Sequence, residues 1–209
     1  MTLSDPGMPD PGRRERKRQQ TLDHLADTAY RLFETLGFEG VTMEQIAAEA
    51  DVAKGTLYNH FPVKEALLAH RVHRDLATHA PGLRDTMRGQ AGFAARMACL
   101  LQASCHWAES NRAYLAHYLR YRLAHTQPGN PQTVPRSGLD QIIEPLIQAG
   151  QQAGELRSDL PAAQLAHMFQ FLYLAALTRW LSEPAKPLRH ELNATLDVFI
   201  HGLAAGTRP

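Results

Sequence analysis

The chain has 209 residues, 44% of them hydrophobic and 21% charged, with a formal net charge of +1. That is enough to bury one large core or two small ones without staples, and the near-neutral total announces no nucleic-acid partner. The sequence has no signal-peptide pattern and no apolar run near the roughly 18–20 residues of a membrane span, while Cys99 and Cys105 lie on different faces of one predicted helix and cannot bridge; a reducing, cytoplasmic compartment is expected.

Residues 1–12, rich in proline and glycine, read as a disordered tail. Arg13, Arg14, Arg16, Lys17 and Arg18 then crowd around Glu15. A like-charge run at a terminus is ordinarily a solvated tail. From Leu22 through Leu25, Ala26, Ala29, Leu32 and Phe33 to Leu36, apolar residues recur every three or four positions. They predict a first helix that begins in the basic stretch and stops at Gly37. Thr42 and Gln45 have capping-box spacing, so a second helix runs from Met43 to about Ala50 and buries Ile46, Ala47 and Ala50. Lys54 to His60 has room for two turns before Pro62 forbids continuation. Lys64 opens a fourth helix, with Leu67, Leu68 and Val72 on one side and a stop at Pro81-Gly82.

Two short helices joined by a three- or four-residue turn, the second polar on its outer side, describe a helix-turn-helix, whose second helix fits the roughly 12 Å wide major groove of DNA. Such a helix needs little apolar surface of its own. Gly55 costs roughly 1 kcal/mol of helix stability relative to alanine, which makes sense where the backbone must come close to bases or phosphates.

The stretch FETLGFEGVTMEQIAAEADVAKGTLYNHFPVKEALL resembles the DNA-binding domain of the TetR family of bacterial transcriptional regulators, from about Thr21 to Leu68. The resemblance implies that Thr42 meets a phosphate at the start of the second helix. Lys54, Gly55, Thr56 and Asn59 would face the groove, while Tyr58, His60 and Lys64 would reach phosphates or the groove edge. Leu57 and Phe61 belong to the core. Asp51 stands where the family usually has glycine, and Ala53 and Val63 stand where serine commonly caps the third and fourth helices. Aspartate tolerates the left-handed conformation, and each lost serine cap costs about 1 kcal/mol. With this motif in place, the five cations just ahead of the first helix become candidates for the minor groove or the DNA backbone.

The rest of the chain reads as helices over Phe93–Ser110, Asn111–His125, Ser137 to about Ala149, Pro161–Leu181 and Leu188–Leu203. A proline-rich loop, TQPGNPQTVPRSG, separates the second and third, and Pro145 falls inside the third. The fold class is all-α: a helix-turn-helix domain over 13–68 and a helical ligand-binding and dimerisation domain over 69–209. In the penultimate helix Leu165, Met168, Phe169, Leu172, Tyr173, Ala176, Leu177 and Trp180 form a stripe wide enough for burial on two sides. By the resemblance, the last two helices pair with their copies in a homodimer through Leu177, Trp180, Leu192, Leu196, Phe199, Ile200 and Leu203. That dimer presents two recognition helices to a near-palindromic double-stranded operator.

Trp107, Tyr114, Tyr118 and Tyr121 gather on the two middle helices. Core packing accounts for any one of them. Aromatics with polar tips near His106, His117 and Arg120 also describe an apolar pocket with a few orienting groups. The candidate ligand set is these four with Met168, Phe169 and Leu172, for a small apolar or aromatic effector.

His70 and His73 have i, i+3 spacing but no third ligand at motif spacing, so no metal is expected. Ser104, Cys105, His106 and Ser110 lack a nucleophile elbow, and no Gly-rich phosphate loop is present, so neither catalysis nor a cofactor is expected. The expected function is a ligand-responsive regulator, a repressor because occupying a promoter blocks polymerase more easily than recruiting it. The alternatives are a metal- or redox-responsive regulator, or a helical metal-binding protein or enzyme.

Overall fold

The structure, a computed structural model, describes residues 11–124, 139–183 and 185–202, and those residues form helices with no strand among them. The chain divides into two compact units between Val72 and His73. Residues 1–10, the loop TQPGNPQTVPRSG, the ends His125 and Ser137 of two expected helices, and Leu203 lie outside the described residues.

The first unit holds α1 (Pro11–Leu36), α2 (Met43–Glu49), α3 (Lys54–His60) and the start of α4 (Lys64–Arg88). α1 ends at Gly37, whose φ of 76° only glycine adopts cheaply. Thr42 caps α2 as its spacing predicts: its hydroxyl accepts from Gln45 N–H at 3.2 Å, and Gln45 Oε1 accepts from Thr42 N–H at 2.8 Å. At the other end of α2, Val52 N–H reaches Ala47 O at 3.0 Å and Asp51 N–H reaches Ala48 O at 3.2 Å. That pair of bonds is a Schellman motif with Asp51 at its left-handed position, φ 52°. The aspartate therefore makes the turn that glycine would otherwise make.

Behind this turn Leu25, Ala26, Ala29 and Phe33 of α1 are buried, as are Ile46 and Ala47 of α2, Leu57 of α3, Phe61, and Leu67 and Leu68 of α4. α3 contributes one buried residue, Leu57. Burial of a leucine contributes about 1.5–3 kcal/mol, so a two-turn helix with no side-chain cap at Ala53 is held mainly by that anchor. α1 and α4 are pinned by Asp23 with His70 at 2.7 Å and by Asp27 with Arg71 at 2.5 Å.

α4 does not stop at Pro81-Gly82 but runs on to Arg88. A proline inside a helix deletes one backbone bond, here the one that Ala77 O would accept, and the helix continues through it. Thr78 Oγ1 donates to Arg74 O at 2.9 Å, and Thr86 Oγ1 donates to Gly82 O at 2.9 Å. Met87, buried at the far end, holds the last turn.

The second unit adds α5 (Gly92–Ser110), α6 (Arg112–Ala124), α7 (Leu139–Gln152), α8 (Ala162–Ser182) and α9 (Leu188–His201). α7 carries Pro145 within it, as expected. α8 packs on α7, α9 and α6, and α5 on α9 and α7. Between α7 and α8, Glu155 Oε2 accepts the Phe93 N–H at the start of α5, at 2.5 Å. Gly92, at φ 78°, leaves room for that carboxylate, since a Cβ there would stand 3.0 Å from Glu155 Oε2.

The wide stripe of α8 resolves into two faces. Leu165, Ala166, Phe169, Tyr173, Ala176, Leu177 and Trp180 are buried within the chain, whereas Met168, Phe171 and Leu172 are exposed.

Candidate nucleic-acid interface and effector cavity

Leu57 points α3 into the first unit, and the opposite side of the helix is open. Lys54, Gly55, Thr56, Tyr58 and Asn59 are exposed and His60 is half-buried. A Cβ built on Gly55 meets nothing within 4 Å, so no contact inside the chain calls for glycine there. Thr42 is exposed at the start of α2, and because its hydroxyl oxygen accepts from Gln45, the hydroxyl proton is left to donate. Tyr58 donates to Glu44 Oε1 at 3.2 Å; partial desolvation first, then the Glu44 charge, holds this phenol above its ordinary pKa.

Lys64 is engaged inside the domain. Its Nζ donates to Phe38 O at 2.7 Å and Val41 O at 3.2 Å, lies 4.5 Å from the Phe38 ring centroid, and pairs with Glu39 at 3.6 Å. These contacts tie the α1–α2 loop to α4, a structural role that the sequence pattern does not distinguish from a phosphate contact.

The five cations are not ahead of the first helix; Arg13, Arg14, Arg16, Lys17 and Arg18 are exposed on its opening turns. Pro11 suits a first helical position, the residues after it are good helix formers, and Arg18–Glu15 at 3.2 Å adds an i, i+3 pair. The arm is thus helical rather than extended.

The second unit holds a partly open cavity of about 640 Å³ walled by α4, α5, α6, α7 and α8. Leu76, Ala80, Leu100, Leu119, Ile142 and Leu177 are among its apolar walls. Trp107 and Tyr118 of the expected ligand set line it; Tyr114, Tyr121, Met168, Phe169 and Leu172 do not. Phe169 packs edge-on against Phe199 at 4.9 Å in the core, and Met168 and Leu172 face outward. Trp107 Nε1 is buried with no hydrogen-bond partner, among the described residues.

A polar cluster that the sequence pattern did not single out occupies another part of the wall. Arg122 Nη1 donates to Tyr118 Oη at 3.2 Å, and His73 Nε2 lies 3.2 Å from the same hydroxyl. Tyr173 shares a hydrogen bond with Ser104, and burial pushes its phenol up to about 12. Burial likewise raises Tyr118, against the pull of Arg122. A signal was present: Leu115, Tyr118, Leu119 and Arg122 share the helical phase of one buried face, so an arginine fell where the pattern called for an apolar residue.

Other candidates separate. His70 bonds Asp23 in the first unit and His73 approaches Tyr118 in the second. Cys105 is buried, and desolvation followed by the Glu109 charge raises its thiol pKa. Of the residues assigned to a second subunit, Leu177, Trp180, Leu192 and Leu196 are already covered within the chain, and Phe199 and Ile200 are half-buried. Packing of α9 on α8 and α5 covers the first four of these.

The sequence profile of the bacterial regulatory proteins, tetR family, matches residues 25–70, the segment that contains α2, the Asp51 turn and α3. MftR of Mycobacterium tuberculosis, a transcriptional regulator proposed for mycofactocin biosynthesis, is 25% identical over 94% of this chain and 98% of its own length. Residues 25–70 are a TetR-family segment. Solved structures of TetR-type regulators share the fold over most of their length. Thermus thermophilus FadR, a TetR-family repressor in complex with lauroyl-CoA, superposes with a TM-score of 0.76 at 22% identity, covering 90% of this chain and 97% of that one. Bacillus subtilis FadR in complex with stearoyl-CoA gives a TM-score of 0.67 at 20% identity, covering 87% and 98%. Among the described residues no helix is long and apolar enough to cross a membrane.

Proposed function

We propose that this TetR-family transcription regulator acts as a homodimeric repressor on a near-palindromic operator and lets go of DNA when an apolar effector fills the cavity of its second unit. The observation that carries the reading is the one-sided α3: a single buried leucine behind, and Lys54, Gly55, Thr56, Tyr58 and Asn59 outward with open space over Gly55. Hydroxyl, amide and ammonium groups on that edge are donors for phosphate oxygens and base edges. Thr42, His60 and the cations of α1 flank it as backbone contacts. Lys64 supports the interface from inside.

For the homodimer, the supporting surface is the outward side of α8 and α9. Met168, Phe171, Leu172 and Val198 are large apolar residues left exposed there, with Phe171 at 61%. The effector reading rests on an apolar cavity of about 640 Å³, within the usual range for small-molecule sites, with Trp107 in its wall. The acyl-CoA ligands of the two FadR proteins make an acyl chain the first candidate occupant. α4 is the element that links the two units in sequence, with His73, Leu76 and Pro81 in the cavity wall.

Run-off transcription from a template carrying a selected operator tests both halves. The protein should reduce the transcript and an acyl effector should restore it. A transcript that rises on adding protein would remove repression from the proposal, and one that stays low with every apolar ligand would remove the effector.

A further inference from the structure

The buried face of α8 contains a glutamine. Ala166, Gln170, Tyr173 and Leu177 follow the helical spacing of one side of α8 and are all buried, and Gln170, Tyr173 and Leu177 line the large cavity. Gln170 is 9% exposed, and its carboxamide makes no hydrogen bond among the described residues. Among those residues, the buried side-chain nitrogen or oxygen that is both closed off from water and unpartnered is Trp107 Nε1. The Gln170 amide is therefore unpartnered yet within reach of water, and the opening through which water reaches it is the cavity that the residue lines.

A carboxamide in that position costs folding energy. Leucine or methionine would complete the apolar face without taking two donor protons and an acceptor out of bulk water. The neighbouring wall is polar but neutral. One turn further along α8, Tyr173 shares a hydrogen bond with Ser104 of α5, and burial holds that phenol up at about 12, so it stays protonated. In a hydroxyl pair one proton is used between the two oxygens and the other remains to donate. The cation of the wall, Arg122, stands on α6 and donates to Tyr118. This stretch of α8 and α5 thus offers donors and acceptors without a formal charge, in a cavity whose other walls include Leu76, Leu100 and Ile142.

We infer that the effector carries a hydroxyl group on its apolar body and that Gln170 is the residue that recognises it. The inference rests on the reading of the large cavity as the effector site. A hydroxyl both donates and accepts, so it can meet Gln170 Oε1 and Nε2 together, or one of them and the hydroxyl pair beside it. A plain hydrocarbon filling the cavity satisfies none of these groups and leaves the amide dry and unpaired. Gln170 therefore selects the hydroxylated member of any pair of acyl or aromatic molecules of like shape.

Calorimetric titration of the full chain with matched probes tests it: laurate against laurate hydroxylated near the carboxyl, at mid-chain or at the tail, and naphthalene against naphthol. At least one hydroxylated probe should bind roughly two- to tenfold tighter than its parent, the scale of one neutral hydrogen bond. The laurate isomers should differ among themselves, because the amide lies at a fixed depth in the cavity. Salt should leave the advantage unchanged, since no charge carries it. In Gln170→Leu the advantage should vanish while the parent molecules bind at least as tightly as before, which also shows that the variant is folded. Hydroxylated probes that bind no tighter than their parents, or a variant that keeps the preference, overturn the role of Gln170 while sparing the cavity. If the variant does not fold, the comparison on the parent protein decides alone. If no probe binds the parent protein, the cavity reading itself fails and the inference falls with it.

Discussion

Replacing Gly55 by alanine should push stability and DNA affinity in opposite directions. Gly55 lies in the first turn of α3, outside the left-handed region, and an added Cβ meets nothing within 4 Å. Alanine is therefore free to supply its helix advantage, about 0.5–1 kcal/mol over glycine. For a chain of this size that raises the melting temperature by about 2–4 °C per kcal/mol. The same methyl group projects from the open edge of α3. If DNA approaches the backbone there, the methyl overpacks the interface at a cost of about 1–3 kcal/mol, a drop in affinity of roughly fivefold to more than a hundredfold. Thermal melting by circular dichroism and fluorescence anisotropy with a labelled operator measure the two effects. A variant that melts higher and binds DNA like the parent would refute the close approach. One that melts lower would refute the helical assignment of Gly55 as an unconstrained position.

Changing Arg13, Arg14, Arg16, Lys17 and Arg18 to glutamine should weaken binding to every duplex alike and flatten the dependence of log K on log salt by up to about 0.9 for each DNA phosphate that is no longer neutralised; an unchanged slope takes α1 out of the interface. Phe171→Glu places a charge on the exposed apolar face of α8, and sedimentation should show monomers that no longer hold a two-site operator, whereas an undisturbed dimer would move the interface elsewhere. Tyr173 gives an alkaline signature. Its phenol is held up to about 12 in the folded chain, so stability is intact below the unfolded value near 10 and falls as pH rises from there through about 12. The decrease from this group is on the order of 2–3 kcal/mol, and chemical denaturation should show the alkaline loss reduced by that amount in Tyr173→Phe, with the part due to Tyr118 remaining.

The head of the molecule was legible because its signals are local. A capping box at Thr42, the bar to helix at Pro62 and the lone Leu57 each act within a few residues, and α2 and α3 begin where these place them. Asp51 was legible for the same reason, since a left-handed residue depends on its own backbone. α4 misled because Pro81 is a local stop overridden by tertiary packing, with Met87 buried beyond it. The cavity wall was harder. α6 carries aromatic or aliphatic residues on most of its circumference, so its phase is blurred, and Tyr114 and Tyr121 looked as eligible as Tyr118. Arg122 stands in phase with the buried residues, yet taken singly it reads as an ordinary surface cation. The residues given to the second subunit illustrate the converse problem, since one chain's pattern does not tell an apolar stripe covered by its own helices from one covered by a copy.

The central claim is that the open edge of α3 reads DNA, twice, across a two-fold axis. Selection of bound duplexes from a random pool, carried out in parallel with the parent and with Thr56→Ala/Asn59→Ala, measures this most directly. The parent should enrich an inverted repeat whose half-sites are about one helical turn or a multiple of it apart, and the variant should lose discrimination at symmetric positions in both halves while keeping its salt-dependent affinity. Enrichment of no common sequence, or the same repeat recovered with equal stringency by the variant, would contradict the account.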